Sequence, residues 1–223
     1  MDLFFNLIPV RLTAVSMALM LTGSCAKFPR HPDGSAESIL LYNLLRTGAP
    51  TQPTCRTRGF CYMFKTAVAQ ADAQSIGGVS SADTICSSNS ARPAAATNTV
   101  KALLVAGTTR RASISANAGD GQIDWVLWPS TQYRRADGTT IIGTTQPTGL
   151  FTFPLAASFG PGGSAFHAGL TATWTTSGND CGGWTNNLGT KDLGDENNVN
   201  SSAIFTGNIG CANPGYHLMC VEQ

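Results

Sequence analysis

Seven cysteines are the residues with the most chemistry to offer: Cys25, Cys55, Cys61, Cys86, Cys181, Cys211 and Cys220. Thiols can pair, hold a metal or attack a substrate. No C-x-x-C pair occurs, and the three histidines, His31, His167 and His217, are scattered, which argues against a zinc site. The count is odd. Setting one cysteine aside for modification leaves an even set, which in an exported protein suits three disulfides. Six cysteines allow many pairings, and the count alone selects none.

Other constellations are weaker. Gly162-Gly163-Ser164-Ala165-Phe166 misses the last glycine of a nucleophile elbow, and no strand–helix context surrounds it. His167 reads as a partly buried structural residue rather than a base for Ser164. With the cysteines claimed by disulfides, no thiol nucleophile is left, and no enzyme activity is expected. Asp192, Asp195, Glu196, Asn197 and Asn198 offer hard oxygens in one stretch. They lack the spacing of a known calcium loop and read as a solvated loop, so no metal and no cofactor is expected.

Two arginine pairs, Arg110-Arg111 and Arg134-Arg135, stand beside predicted strands. If they converge, they form a cationic patch able to grip sulfated glycans or acidic protein segments through bidentate contacts; otherwise they are ordinary solvated arginines. Of the four tryptophans, Trp125 and Trp174 read as core. Trp128, before Pro129, and Trp184, among glycines and asparagines, are the candidates for exposed binding anchors, with core as the competing reading for both.

These residues need a frame to position them. The chain has 223 residues, 42% hydrophobic and 12% charged, with a net charge of +1. That balance excludes a strongly basic nucleic-acid binder and an acidic disordered tail. Twenty-four glycines point to turns and short strands rather than long helices. At the start, Arg11 precedes the uncharged stretch Leu12–Leu21, long enough for a signal-peptide core and too short to span a bilayer. Thr22-Gly23-Ser24 and then Cys25 resemble a bacterial lipobox, in which the cysteine after the cut carries lipid. The other reading is an ordinary secretory signal with an incidental cysteine.

Residues 1–24 are therefore expected to be a lipoprotein signal peptide. Residues 25–54 follow as the lipidated Cys25 and a tether, with one short amphipathic helix at Ser38–Arg46. Residues 55–223 form the globular domain. Within it, strands are expected at Tyr62–Val68, Lys101–Ala106, Asp124–Trp128, Thr139–Gly143, Leu150–Leu155, Gly169–Trp174 and Tyr216–Val221. A helix capped by Ser80 or Ser81 is expected to run through Cys86, with Asp83 in its first turn and Val79, Ala82 and Ile85 as its apolar stripe.

The order Cys86, Cys181, Cys211, Cys220, with the last in His217-Leu218-Met219-Cys220-Val221-Glu222-Gln223, resembles the C-type lectin-like domain and its endostatin relative. Lys101–Val105, Asp124–Leu127, Tyr133-Arg134, Thr173–Thr176, Asp180–Thr185 and the terminal Cys220–Gln223 together resemble the leptospiral endostatin-like surface lipoproteins, over about Tyr62 to Gln223. The resemblance implies an α+β domain of short strands with one or two helices, long loops and nested disulfides. It implies the pairs Cys86–Cys220 and Cys181–Cys211, which leave Cys55 and Cys61 to each other. Loops of ~31 and ~135 residues closed in this way stabilise by at most about 3.5 and 5 kcal/mol in the chain-entropy model.

The resemblance further implies an outer-membrane lipoprotein, lipid-anchored at the cell surface. Such a protein acts as an adhesin toward host extracellular-matrix or plasma proteins: laminin, fibronectin, plasminogen, or complement regulators such as factor H. The calcium-dependent sugar site of lectin-like domains is absent, because neither the segment before Cys181 nor Gly207–Gly210 before Cys211 carries its motif. A carbohydrate-binding lectin with a non-standard site and a structural envelope lipoprotein without host ligand are the alternative readings.

Overall fold

A computed structural model describes residues 54–223. The expected signal peptide at 1–24, Cys25, the tether up to residue 53 and the helix at Ser38–Arg46 lie outside the described residues. Cys61–Lys65 (β1) is apolar at nearly every position, and four of its five residues are buried. A strand like this needs cover on both faces. It receives that cover at the centre of a five-stranded sheet in the order β2-β8-β1-β3-β4, formed with Val100–Ala102 (β2), Gln132–Arg134 (β3), Ile141–Thr144 (β4) and Met219–Glu222 (β8). β1 runs parallel to β3 and antiparallel to β8, with Phe64 opposite Cys220.

Successive side chains point to opposite faces of a strand. Met63, Met219 and Val221 accordingly join one core cluster with Tyr133, Phe151, Phe159, Phe166 and Trp174. Phe64, Leu218 and Cys220 join a second cluster with Ile76, Val79, Leu104 and Trp184. The helix Val79–Ser87 (α1) covers the second face, burying Val79, Ala82 and Cys86 and packing on β2 and β8. Its cap is Gly78 rather than a serine, and Asp83 lies beyond its first turn.

Ala165–His167 (β5), Thr190–Asp195 (β6) and Gly207–Gly210 (β7) form a second, antiparallel sheet. The molecule is thus α+β, mostly short strands joined by long loops, with three disulfides: Cys55–Cys61, Cys86–Cys220 and Cys181–Cys211. These are the pairs set out above. Cys86–Cys220 staples α1 to β8. The amide of Cys55 donates to the carbonyl of Gln223 at 3.1 Å, so the two ends of the described chain meet.

Several expected strands do not form. At Gly169–Trp174, both end residues have positive φ, and the Thr171 hydroxyl takes the Thr173 and Thr175 amides into a tight turn. Asp124 (φ 44°) starts its segment in a left-handed conformation, and the amide of Trp128 is spent on the Tyr133 hydroxyl at 2.7 Å. Leu150–Leu155 carries Pro154, which has no amide to give a ladder, and packs Phe151 and Phe153 against Trp174 instead. Strand pairing at Lys101–Ala106 stops at Ala102, although Leu103–Ala106 stay buried.

Candidate functional site

A cleft of about 420 Å³ opens at the end of the main sheet. Its floor is apolar: Met63 and Phe64 from β1, with Phe159 beside them. Its rim is charged. Lys65, the last residue of β1, reaches the carboxylate of Glu196, one residue past β6, at 2.5 Å, and the Ser164 hydroxyl at 3.0 Å. Glu196 is almost fully buried and also accepts the Ser164 amide at 3.0 Å. A buried carboxylate is tolerated only when paired and hydrogen-bonded in this way.

Two glycines make room for it. A Cβ at Gly160 would run into Oε2 of Glu196, and one at Gly162 would meet Oε1 at 2.7 Å and Lys65 Nζ at 2.8 Å. The loop closes on the ion pair because neither position carries a side chain.

Arg135, directly after β3, lines the same cleft. Its Nε donates to the Ser158 carbonyl at 2.8 Å and its Nη2 to the Ser158 hydroxyl at 2.6 Å. That leaves Nη1 without a partner among the described residues. Asp137 sits at the mouth. Its carboxylate accepts the Thr140 hydroxyl at 2.6 Å, the Thr140 amide at 2.8 Å and the Thr139 amide at 2.7 Å, which together hold its pKa down to about 2. The cleft therefore presents fixed cationic and anionic groups around an apolar floor. Such a recess can hold a protruding side chain of a partner and orient it electrostatically.

The residues singled out from sequence divide sharply. Arg110 is fully buried and cannot belong to a surface patch. It donates to both oxygens of Asp83 at 2.8 and 2.7 Å and to Asp124 through Nε at 3.0 Å. Burial alone would lower its pKa, but these carboxylates outweigh it and leave the pKa raised. Arg111 is half-buried and spends Nε on the Gly121 carbonyl at 2.8 Å. Arg134 stacks on Phe60 at 4.2 Å and donates to Gln132 and Gly138. With Arg110 interior, the four arginines do not make one patch, and only Arg135 reaches the cleft.

Trp184 is also interior, its indole N–H donating to the Val105 carbonyl at 2.9 Å, so it is no surface anchor. Trp128 is half-buried and lines a different cavity. The acidic stretch at 192–198 is not one loop. Asp192 lies buried in β6 and accepts from Asn179 at 3.0 Å; Asp195 ends β6 and binds Asn197 and Asn198; Glu196 faces Lys65. Each carboxylate has its own partner, and the oxygens do not converge on a cation. Ser164 engages Lys65. His167 lies edge-on to Trp184 and Tyr216, with neither ring nitrogen hydrogen-bonded among the described residues.

The sequence alone does not single out Lys65 or Gly160, and it places Glu196 in a solvated loop. The available signal was the G-P-G-G run at 160–163, where the backbone can approach another group closely. Among the described residues, no helix is long and apolar enough to cross a membrane.

A family model described as "Protein of unknown function (DUF1554)" matches residues 69–202, which run from before α1 to beyond Glu196. No curated protein matches the chain.

Proposed function

We propose that this chain, which belongs to the family described as proteins of unknown function (DUF1554), is a bacterial surface lipoprotein that binds host proteins by contact rather than by catalysis. Lipid on Cys25 tethers it to the outer membrane. The loop-rich head faces outward and takes matrix or plasma proteins of the laminin, fibronectin, plasminogen and factor H kind, as its resemblance to the leptospiral endostatin-like lipoproteins implies. The observation that carries the reading is the cleft of Arg135. It combines an apolar floor, a half-free guanidinium and a Lys65–Glu196 pair whose carboxylate is buried, the makings of an anchor pocket for one apolar side chain flanked by an acidic group.

Binding of the detergent-purified full chain to immobilised laminin, fibronectin, plasminogen and factor H tests it. Saturable binding to at least one, lost on reduction of the disulfides, is the expected result. Binding to none would refute the adhesin reading. Protection of the protein from protease on intact cells would favour a structural envelope lipoprotein.

A further inference from the structure

A second cavity, of about 520 Å³, lies where the two ends of the described chain meet. We infer that it is a calcium-independent binding site for a neutral saccharide, apart from the cleft of Arg135. Its platform is Trp128, half-buried against the core, whose indole N–H has no partner among the described residues. Around the platform stand Thr97, Asn98, Thr99 and Gln223.

The two amides are fixed from behind. Asn98 Nδ2 donates to the buried carboxylate of Glu222 at 2.9 Å, and that carboxylate is held in turn by Arg58 and the Tyr62 amide. Gln223 Nε2 donates to the Val126 carbonyl. Each amide thus has one of its two N–H donors engaged and its oxygen without a partner among the described residues. The hydroxyls of Thr97 and Thr99, on exposed residues, likewise have none.

Lys101 pairs with Asp124 and Arg58 with Glu222, so neither of these two cations is free to select an anion. Exposed Arg56 lies 5.9 Å from the centre of the Trp128 ring, a weak hold that a ligand can displace. Preset carbonyl oxygens and hydroxyls beside an aromatic face match one ligand chemistry. A pyranose stacks its C–H face on the indole, donates hydroxyls to the amide oxygens and shares others with the threonines.

Saturation-transfer NMR on the purified full chain tests the site with three glucose hexaoses, linked α-1,4, β-1,4 and β-1,3. At least one should receive saturation, and EDTA should not abolish it. Thr99→Val should weaken binding by about five-fold, and adding Thr97→Val by several-fold more, since each removes one hydrogen bond. Both threonines are exposed, so these variants keep the fold even if Trp128→Ala does not. Arg135→Ala should leave saccharide binding unchanged, which separates this site from the protein-binding cleft. Transfer to none of the three hexaoses, undiminished binding in the double variant, or loss in EDTA would overturn the inference.

Discussion

Arg110 and Asp83 are joined by two parallel hydrogen bonds, at 2.8 and 2.7 Å, across 27 residues of sequence. The guanidinium is fully buried, and Asp124 closes its other side with Lys101 behind. Asp83 also takes the Ala102 amide at 2.9 Å, so the pair ties α1 to the end of β2. A charge this deep is an internal strut, not a contact for a ligand.

Truncating it leaves Asp83 without its cation, facing an Asp124 that keeps only Lys101. Arg110→Ala should therefore lower stability by about 3 kcal/mol, read as a shift of the urea midpoint at unchanged slope. Ligand binding per folded molecule should not change. Arg135→Ala, at a half-buried position, should cost under about 1 kcal/mol and should impair binding instead.

The disulfides should rank by the loops they close. Replacing both Cys86 and Cys220 with serine removes a constraint across 134 residues, and replacing Cys181 and Cys211 one across 30. Losses of up to about 5 and 3.5 kcal/mol are expected, in that order, from denaturation of each double variant.

Acid should weaken the fold through His167. Burial, reinforced by the charge of Lys191, lowers its pKa from 6.5 to about 3. Asp72 opposes this shift in part, and His217 adds to it. The unfolded chain then binds the proton that the folded one refuses. The stabilising contribution is complete above pH 6.5 and is lost as pH falls toward about 3. The slope approaches ~1.4 kcal/mol per pH unit. His167→Phe should flatten the stability profile between pH 6.5 and about 5, above the range in which the carboxylates take up protons.

The glycines of the cleft give a steric test. Gly160→Ala puts a methyl group where Glu196 Oε2 lies and should push the carboxylate off Lys65. Binding to the protein ligand should fall by about ten-fold with a stability cost of 1–2 kcal/mol, compared by isotherm and melting curve.

What could be read from the chain alone follows from these contacts. Leu218–Val221 announces a strand because each residue is apolar, and each is apolar because alternate side chains enter different cores. Val79 and Ala82 announce α1 for the same reason. β6 was hidden, since Lys191 and Asp192 look like surface residues. Lys191 is buried only because its ammonium reaches the Asn213 carbonyl at 2.7 Å and lies 4.7 Å from the Tyr216 ring centre, partners far along the chain. Arg110 misled in the same way, because nothing local marks Asp83 as its partner. The cleft was half visible. Arg135 stood out as one of a pair, whereas Glu196 looked like part of a polar loop until β6 carried it to Lys65.

The most direct test of the binding account is charge reversal at the cleft. Full-length wild type and Arg135→Glu should be titrated against whichever of laminin, fibronectin, plasminogen or factor H the wild type binds, with equal melting temperatures confirmed first. The account predicts that the reversal weakens affinity by ten-fold or more, on the order of 1.4 kcal/mol. Unchanged affinity in a folded Arg135→Glu protein would contradict it.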